Sequence, residues 1–528
     1  MTLLPLPLVV LMLLVPGGDQ PVPSDDKPAP KLPLGKETTY VTGPLDRQGY
    51  IDYEAALNAE LSRGVTADNN ANVLLIQALG PAPEGGDGLP LSYFKWLDIP
   101  PLPKEGNYFL SLGRFTRDTL SLTDAQVTAV VEQQGATMTR PWAAKDHPVI
   151  AEWLTINEKP LALVVEATKR PRYYNPLVTG KKDGEAASLI GVLLPSVQKC
   201  RELNAALTAR AMLRVHEKQF DAAWADLLAS HRLGRLMTQG GTIIESLVGI
   251  AIGQIANTAT LAYLDQAPLS AKQIRERLAE LQQLPPLSPF ADRIHLGERF
   301  MGLDSMQFIR RNGMEALRNL ADGLPADKPT PEQLKAMNLI DWAVGLKELN
   351  RCYDRMVAAA RLPDRPARQK EFAAIEQELS RLKKEGLDPE QLNQLLEKPD
   401  KLNQQVSLAI TRSLMVLLLP ALQRVQAAYD RSDQVNRNLQ VAFALAAYRA
   451  ETGRYPAQLA ELAPKYLAAV PGDQFSGKPL IYRAEGNGYV LYSVGQNEKD
   501  DGGKGFDDDP PGDDLRVRMP LPPRKPQE

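Results

Sequence analysis

The sequence predicts a mainly α protein, with layered helical hairpins followed by a small α+β unit at the C-terminus. Three observations carry this. From Tyr50 to about Tyr429 the readable segments repeat apolar residues at helical spacing. Aromatic content is only 6% while prolines number 43, as expected for helices with Pro-rich connections rather than a sandwich of strands. Strand-like alternation is confined to the closing stretch, at Leu480–Arg483 and Tyr489–Val494, joined by Gly486-Asn487-Gly488. With 528 residues the chain exceeds one ordinary core, and it divides into a 1–18 leader, a 19–45 linker, helical units at 46–180 and 181–403, and a C-terminal unit at 404–528.

The apolar run Leu3–Val15, followed by Pro16-Gly17-Gly18, is shorter than the ~20 residues of a membrane span and fits a signal peptide or an N-terminal anchor. Pro21–Pro33 is a polar, proline-rich linker. The expectation is export to the periplasm or cell envelope, with membrane contact only through this N-terminal segment.

Tyr53, Ala56, Leu57 and Leu61 then mark a helix that Gly64 ends, and Thr66 is placed to cap a second carrying Val73, Leu74, Ile76 and Leu79. Further helices are expected at 124–134, 149–157 and 161–168, with a junction in the flexible segment Val178–Glu185. Ser188–Tyr263 is the most apolar helical block. Within it Leu203–Val215 and Asp221–Leu236 form a hairpin around Phe220. The spacing of Leu213, Phe220, Ala223 and Leu227 resembles one tetratricopeptide unit, but Lys218 stands where such units prefer glycine, and no second copy follows.

Thr242-Ile243-Ile244-Glu245 has the spacing of a capping box. The helix it opens carries Gly249 and Gly253, which allow close helix contact, while Glu245, Gln254 and Asn257 favour a core helix over a membrane span. Helices at 271–284, 290–311, 331–362 and 368–384 follow, separated by Pro285-Pro286, the 323–329 stretch and Pro363. Cys200 and Cys352 each fall in an apolar helix and read as separate buried thiols.

A net charge of −3 with interspersed signs carries no electrostatic footprint for nucleic acid. The motifs of common catalytic sites are missing: there is no His-Glu-x-x-His, Cys-x-x-Cys or Gly-x-Ser-x-Gly. Gly180-Lys181-Lys182 lacks the rest of a phosphate loop. His147, His216, His231 and His295 are scattered, and His231 lies about 140° around its helix from Asp226. No catalytic residue is predicted. The function expected is a non-catalytic interaction or structural role with an envelope protein as partner. The alternatives are a hydrolase with a site in a groove between helical units, or an accessory of a secretion apparatus.

The segment Leu417–Gln423, the run Asn438–Tyr448 and Gly453-Arg454-Tyr455-Pro456 lead through Leu459, Leu462, Tyr466-Leu467 and Val470-Pro471 to Asp473–Pro479 and Tyr492-Ser493-Val494-Gly495. In these elements the last fifth of the chain resembles the major pseudopilin of bacterial type II secretion. The resemblance implies a long helix plus a short antiparallel sheet, and a terminal loop wrapped around calcium. Carried onto this sequence, the implied ligands are Leu491, Ser493, Asn497, Asp500, Asp501 and one of Asp513 or Asp514. Calcium takes six to eight oxygens in flexible geometry, which suits an acidic, glycine-punctuated loop. Without a cation, Asp500, Asp501, Asp507, Asp508, Asp509, Asp513 and Asp514 would repel one another. Asn497 stands where the family has aspartate, and the spacing after Gly503 differs. The apolar helix near residue 415 lies inside the chain with no pilin processing motif before it, so the resemblance implies a pseudopilin-like module rather than a polymerising subunit. The remainder resembles exported bacterial helical proteins, a resemblance that implies no activity.

Overall fold

The computed structural model describes residues 29–86, 88–179, 188–192, 194–313, 338–385, 408, 412 and 422–523. The apolar leader, most of the proline-rich linker, the 180–187 turn, the 323–329 separator and nearly all of the apolar segment before 422 lie outside the described residues. The architecture is mainly helical, with a small C-terminal antiparallel sheet packed on a long helix.

The chain opens with α1 (Tyr53–Leu61), which packs with the later helices around Phe300, and a first layer follows: α2 (Ala71–Leu79), α3 (Leu91–Trp96), α4 (Leu112–Arg114), α5 (Asp124–Thr137), α6 (Pro148–Ile156) and α7 (Glu158–Ala167). Helix α1 starts where the Asp52 carboxylate accepts from the Ala55 amide. Thr66 does not cap α2. It closes a turn with Asn69, and Asn70 takes the cap by accepting from the Asn72 amide. The reason is tertiary: Asn70 Oδ1 also accepts from the Tyr174 amide, which pins it at the helix entrance.

The second layer is α8 (Pro195–His216), α9 (Phe220–Met237), α10 (Ile243–Gln266) and α11 (Ala271–Gln282). The expected hairpin is therefore present, with Lys218 at φ +62° in the turn. That left-handed conformation explains why a glycine is favoured there. Arg210 and Arg214, one turn apart on α8, both reach Asp226 on α9.

The capping box forms in both directions. Thr242 N donates to Glu245 Oε2 at 3.0 Å, and Glu245 N donates to Thr242 Oγ1 at 3.1 Å. Glu245 Oε1 also accepts from Asn175 Nδ2 at 3.0 Å. It thereby joins the buried Asn72–Tyr93–Asn175 network that ties the first layer to α10. Among the described residues α10 alone is long and apolar enough to cross a membrane, yet 56% of its most apolar stretch is buried inside the protein. It packs against α8, α9 and the last helix as a core element.

The α9–α10 crossing is set by glycines. A Cβ on Gly249 would lie 2.6 Å from the Gly234 carbonyl oxygen and 2.9 Å from Met237 Cβ, whereas one on Gly253 would meet nothing within 4 Å. Gly249→Ala is therefore expected to destabilise the protein by about 1–3 kcal/mol through overpacking. Gly253→Ala should be neutral or stabilising by up to about 1 kcal/mol through helix propensity. Urea denaturation of the two variants measures the contrast, and equal behaviour would refute the packing account.

A third group opens with α12 (Phe290–Asp292), continues through a π-helical segment, Arg293–Glu298, and enters α13 (Arg299–Asn312). The sequence shows one uninterrupted helix here. The structure widens it by a π segment because Gly297 packs onto the Gly240-Gly241 turn, where a Cβ would lie 2.0 Å from the Gly241 carbonyl. Arg293 donates to the Gly240 carbonyl in the same contact. Helices α14 (Trp342–Ala360) and α15 (Arg365–Glu385) pack beside it, with Arg299 buried, over the Tyr40 ring and paired to Asp354 at 2.7 Å.

The C-terminal unit is α16 (Leu422–Thr452) followed by β1 (Ile481–Glu485), β2 (Gly488–Ser493) and β3 (Leu515–Met519), in the order β1-β2-β3. The β1–β2 hairpin turns at Gly486-Asn487, with Gly486 at φ +56°. Strand β3 was not among the expected strands, although Leu515, Val517 and Met519 are buried and alternate with the exposed Arg516 and Arg518. Val441–Leu445 of α16, Leu491 of β2 and Val517 of β3 belong to the same apolar core as α2, α7, α8, α9 and α10.

Candidate metal centre

The acidic loop runs from the end of β2 to the start of β3, so the sheet fixes both of its ends. Its entry is held by Asp473, a buried carboxylate that accepts from Ser493 Oγ at 2.8 Å and from the Val494 amide at 3.0 Å. The same carboxylate takes the Phe475 amide and Ser476 Oγ. Arg516 on β3 grips the interior of the loop, donating to the Gly503 carbonyl at 2.7 Å and to Asp508 at 2.8 Å. Arg365 of α15 pairs with Glu498 at 2.7 Å.

These anchors fold the loop back on itself. Asp501, Asp513 and Asp514 each bring one carboxylate oxygen within 4.8 Å of the others. The group can hold a metal ion. Asp501 Oδ2 accepts from Asn497 Nδ2 at 3.0 Å and from the Asp513 amide at 3.1 Å, and these donors hold its pKa below the usual carboxylate value. Asp513 Oδ2 accepts from the Asn497 amide at 2.9 Å, and Asp514 Oδ2 from the Gly503 amide at 2.7 Å. Burial pushes the Asp514 carboxyl up, and the Gly503 and Asp501 amides counter that only in part.

The remaining oxygens test whether the group fits a cation. Asp514 is 4% exposed, and its Oδ1 is buried with no hydrogen-bond partner; Asp513 Oδ1 is in the same condition. Buried acceptors without donors are costly unless something positive meets them. The donor set is all carboxylate, with neither His nor Cys, which selects hard cations over zinc or copper.

The other residues implied by the resemblance lie elsewhere in the loop and sheet. Asp500 Oδ1 accepts from Tyr492 Oη and from the Gly502 amide, both at 2.9 Å. Asn497 supports Asp501 and Asp513 and spends its own Oδ1 on the Lys499 amide. Ser493 Oγ is committed to Asp473. Leu491 sits mid-strand in β2, fully buried between Tyr482 and Val517. Asp473 was not among the expected residues as a positioning group. Its signal was local, since an Asp-x-x-Ser turn lies directly before the hairpin.

Away from the loop, two of the histidines have structural partners. His231 bonds Thr260 Oγ1 at 2.9 Å and is pushed down to about 3 by burial and by Arg235, so it is neutral. His295 contacts Tyr40 Oη at 3.2 Å. Cys200 and Cys352 are both free, with burial raising each thiol to about 12, which leaves them protonated and unreactive. Comparison of the chain with protein-family models, with curated proteins and with solved structures gives no match.

Proposed function

We propose that this is a non-catalytic structural or interaction protein of the bacterial envelope whose C-terminal, pseudopilin-like unit is stabilised by calcium. The observation that carries the reading is the pair of buried, donorless oxygens on Asp513 and Asp514 beside Asp501. A calcium ion would neutralise three carboxylates and pin the β2–β3 connection to the sheet, with loop carbonyls or water completing its shell. The helical layers would then present surfaces to an envelope partner, and the apolar run at 3–15 supports export.

The test is thermal melting of the whole chain in calcium and in chelator. Calcium at about a hundredfold over its Kd adds about 2.7 kcal/mol to the unit that binds it. The transition reported by the C-terminal unit should therefore rise in calcium. Asp514→Asn should remove most of the rise while leaving the chelator transition nearly unchanged. Superimposable transitions in calcium and chelator would eliminate the ion from this account.

A further inference from the structure

A cavity of about 390 Å³ opens where the C-terminal ends of α7, α9 and α11 converge. Lys169, Arg170, Arg232 and Arg235 line it; Glu280 is the one carboxylate among the lining residues, and Lys169 at the rim is paired with Glu166 outside the lining. At two other places in this protein, inward-facing arginines share an acid: Asp226 takes Arg210 and Arg214, and Asp430 takes Arg365 and Arg368. In the cavity that pattern breaks. Glu280 accepts from Trp224 Nε1 at 2.6 Å and forms no ion pair with the guanidiniums beside it. Among the described residues, Arg232 and Arg235 make no ion pair and donate no side-chain hydrogen bond. Arg170 is held by two backbone carbonyls, those of Ala67 at 2.6 Å and Asn70 at 2.8 Å, which orient it without cancelling its charge.

Cations at helix C-termini commonly complement the last carbonyls. Here several of those carbonyls are already occupied. Thr168 Oγ1 donates to Val165 O, Thr238 Oγ1 to Arg235 O, and the Gln239 amide to Leu236 O. Burial pushes the Arg235 pKa down and Asp433 offsets only part of that effect, as expected of a cation short of a counter-charge. Leu236, Leu284, Pro171 and Pro285 add apolar walls.

We infer that this cavity binds a phosphomonoester, its oxyanion held by Arg232 and Arg235 with Arg170 and Lys169 at the rim, and its organic part against the apolar walls. Guanidinium forks match phosphate oxygens, and the volume fits a small organic anion. The inference is independent of the calcium loop.

Isothermal titration of the full chain with phenyl phosphate and with inorganic phosphate tests it. The expected result is saturable binding, tighter for phenyl phosphate, and weakened about tenfold by Arg232→Gln and by Arg235→Gln. Melting curves establish that both variants fold, and Lys104→Gln on a different cavity should bind as the parent does. Vesicles containing phosphatidic acid, whose headgroup is a phosphomonoester, separate a soluble ligand from a lipid headgroup. Retention lost in Arg232→Gln would support the site with lipid as its source. Absence of saturable binding to phosphate, phenyl phosphate and vesicles alike would overturn the inference. So would binding that both variants leave unchanged.

Discussion

Replacing Asp226 by alanine is expected to lower stability by about 3–5 kcal/mol, the cost of stripping a buried carboxylate from charged partners that stay behind. Asp226 is 1% exposed and holds two guanidiniums: Arg210 bidentately at 2.6 and 2.9 Å, and Arg214 at 2.6 Å. Arg210 is itself buried, so the variant leaves a cation inside the α8–α9 hairpin without its bidentate partner and with no means of losing its proton. Asp221→Ala provides the contrast. Its side chain is 88% exposed, and Arg277 keeps Tyr263 Oη at 2.7 Å and the Trp224 ring after the change, so the expected loss is at most about 1 kcal/mol. Urea denaturation followed by tryptophan fluorescence compares the two. A loss below about 1 kcal/mol for Asp226→Ala would show that the hairpin does not depend on this cluster.

The second large effect is a pH dependence built into the π segment. Glu298 is pressed against the start of α10, where burial raises its pKa to about 7 and a long hydrogen bond from the Ile243 amide, 3.4 Å, pulls it down only partly. The folded state therefore holds a proton that the unfolded chain, near the ordinary value of 4.5, releases earlier. Stability from this group is complete below about pH 4.5 and falls as pH rises through about 7. The decline amounts to at most about 3 kcal/mol. Glu298→Gln keeps the acceptor for Ile243 and cannot ionise. Its stability should match the parent near pH 4.5 and exceed it by about 2–3 kcal/mol at pH 8. Glu245 is also raised by burial and contributes a slope in the same direction to both proteins, so the difference between them isolates Glu298. A difference that does not change with pH would refute the assignment.

Glu298 illustrates why part of the molecule could not be read in advance. In the sequence it is one of many acids along a helical run, and its burial comes from a glycine contact, Gly297 on Gly241, between segments over fifty residues apart. The same holds for Arg210 and Asp226, which look like ordinary solvated charges until α8 and α9 fold together. By contrast, Thr242 and Glu245 were legible because a capping box is closed within four residues. Thr66 shows the limit of such local rules. Its capping role was lost to Asn70 because Tyr174, a hundred residues away, supplies a further hydrogen bond there.

At the candidate metal centre the acidic composition and glycine punctuation of the loop were visible at once, as were the two strands of its hairpin. Which carboxylates meet was decided by β3, which returns antiparallel to β2 and carries Asp513 and Asp514 back beside Asp501. The sequence by itself determined the helical class, many of the helices, the Thr242–Glu245 capping box and the position of the acidic loop. These depend on apolar period and on hydrogen bonds between residues a few positions apart. The tertiary structure alone decided the convergence of Asp501, Asp513 and Asp514, the arginine–aspartate pairings and the cationic cavity at the three helix ends. Each brings together charges from separate elements, and their energies depend on distance and burial, which spacing along the chain does not encode.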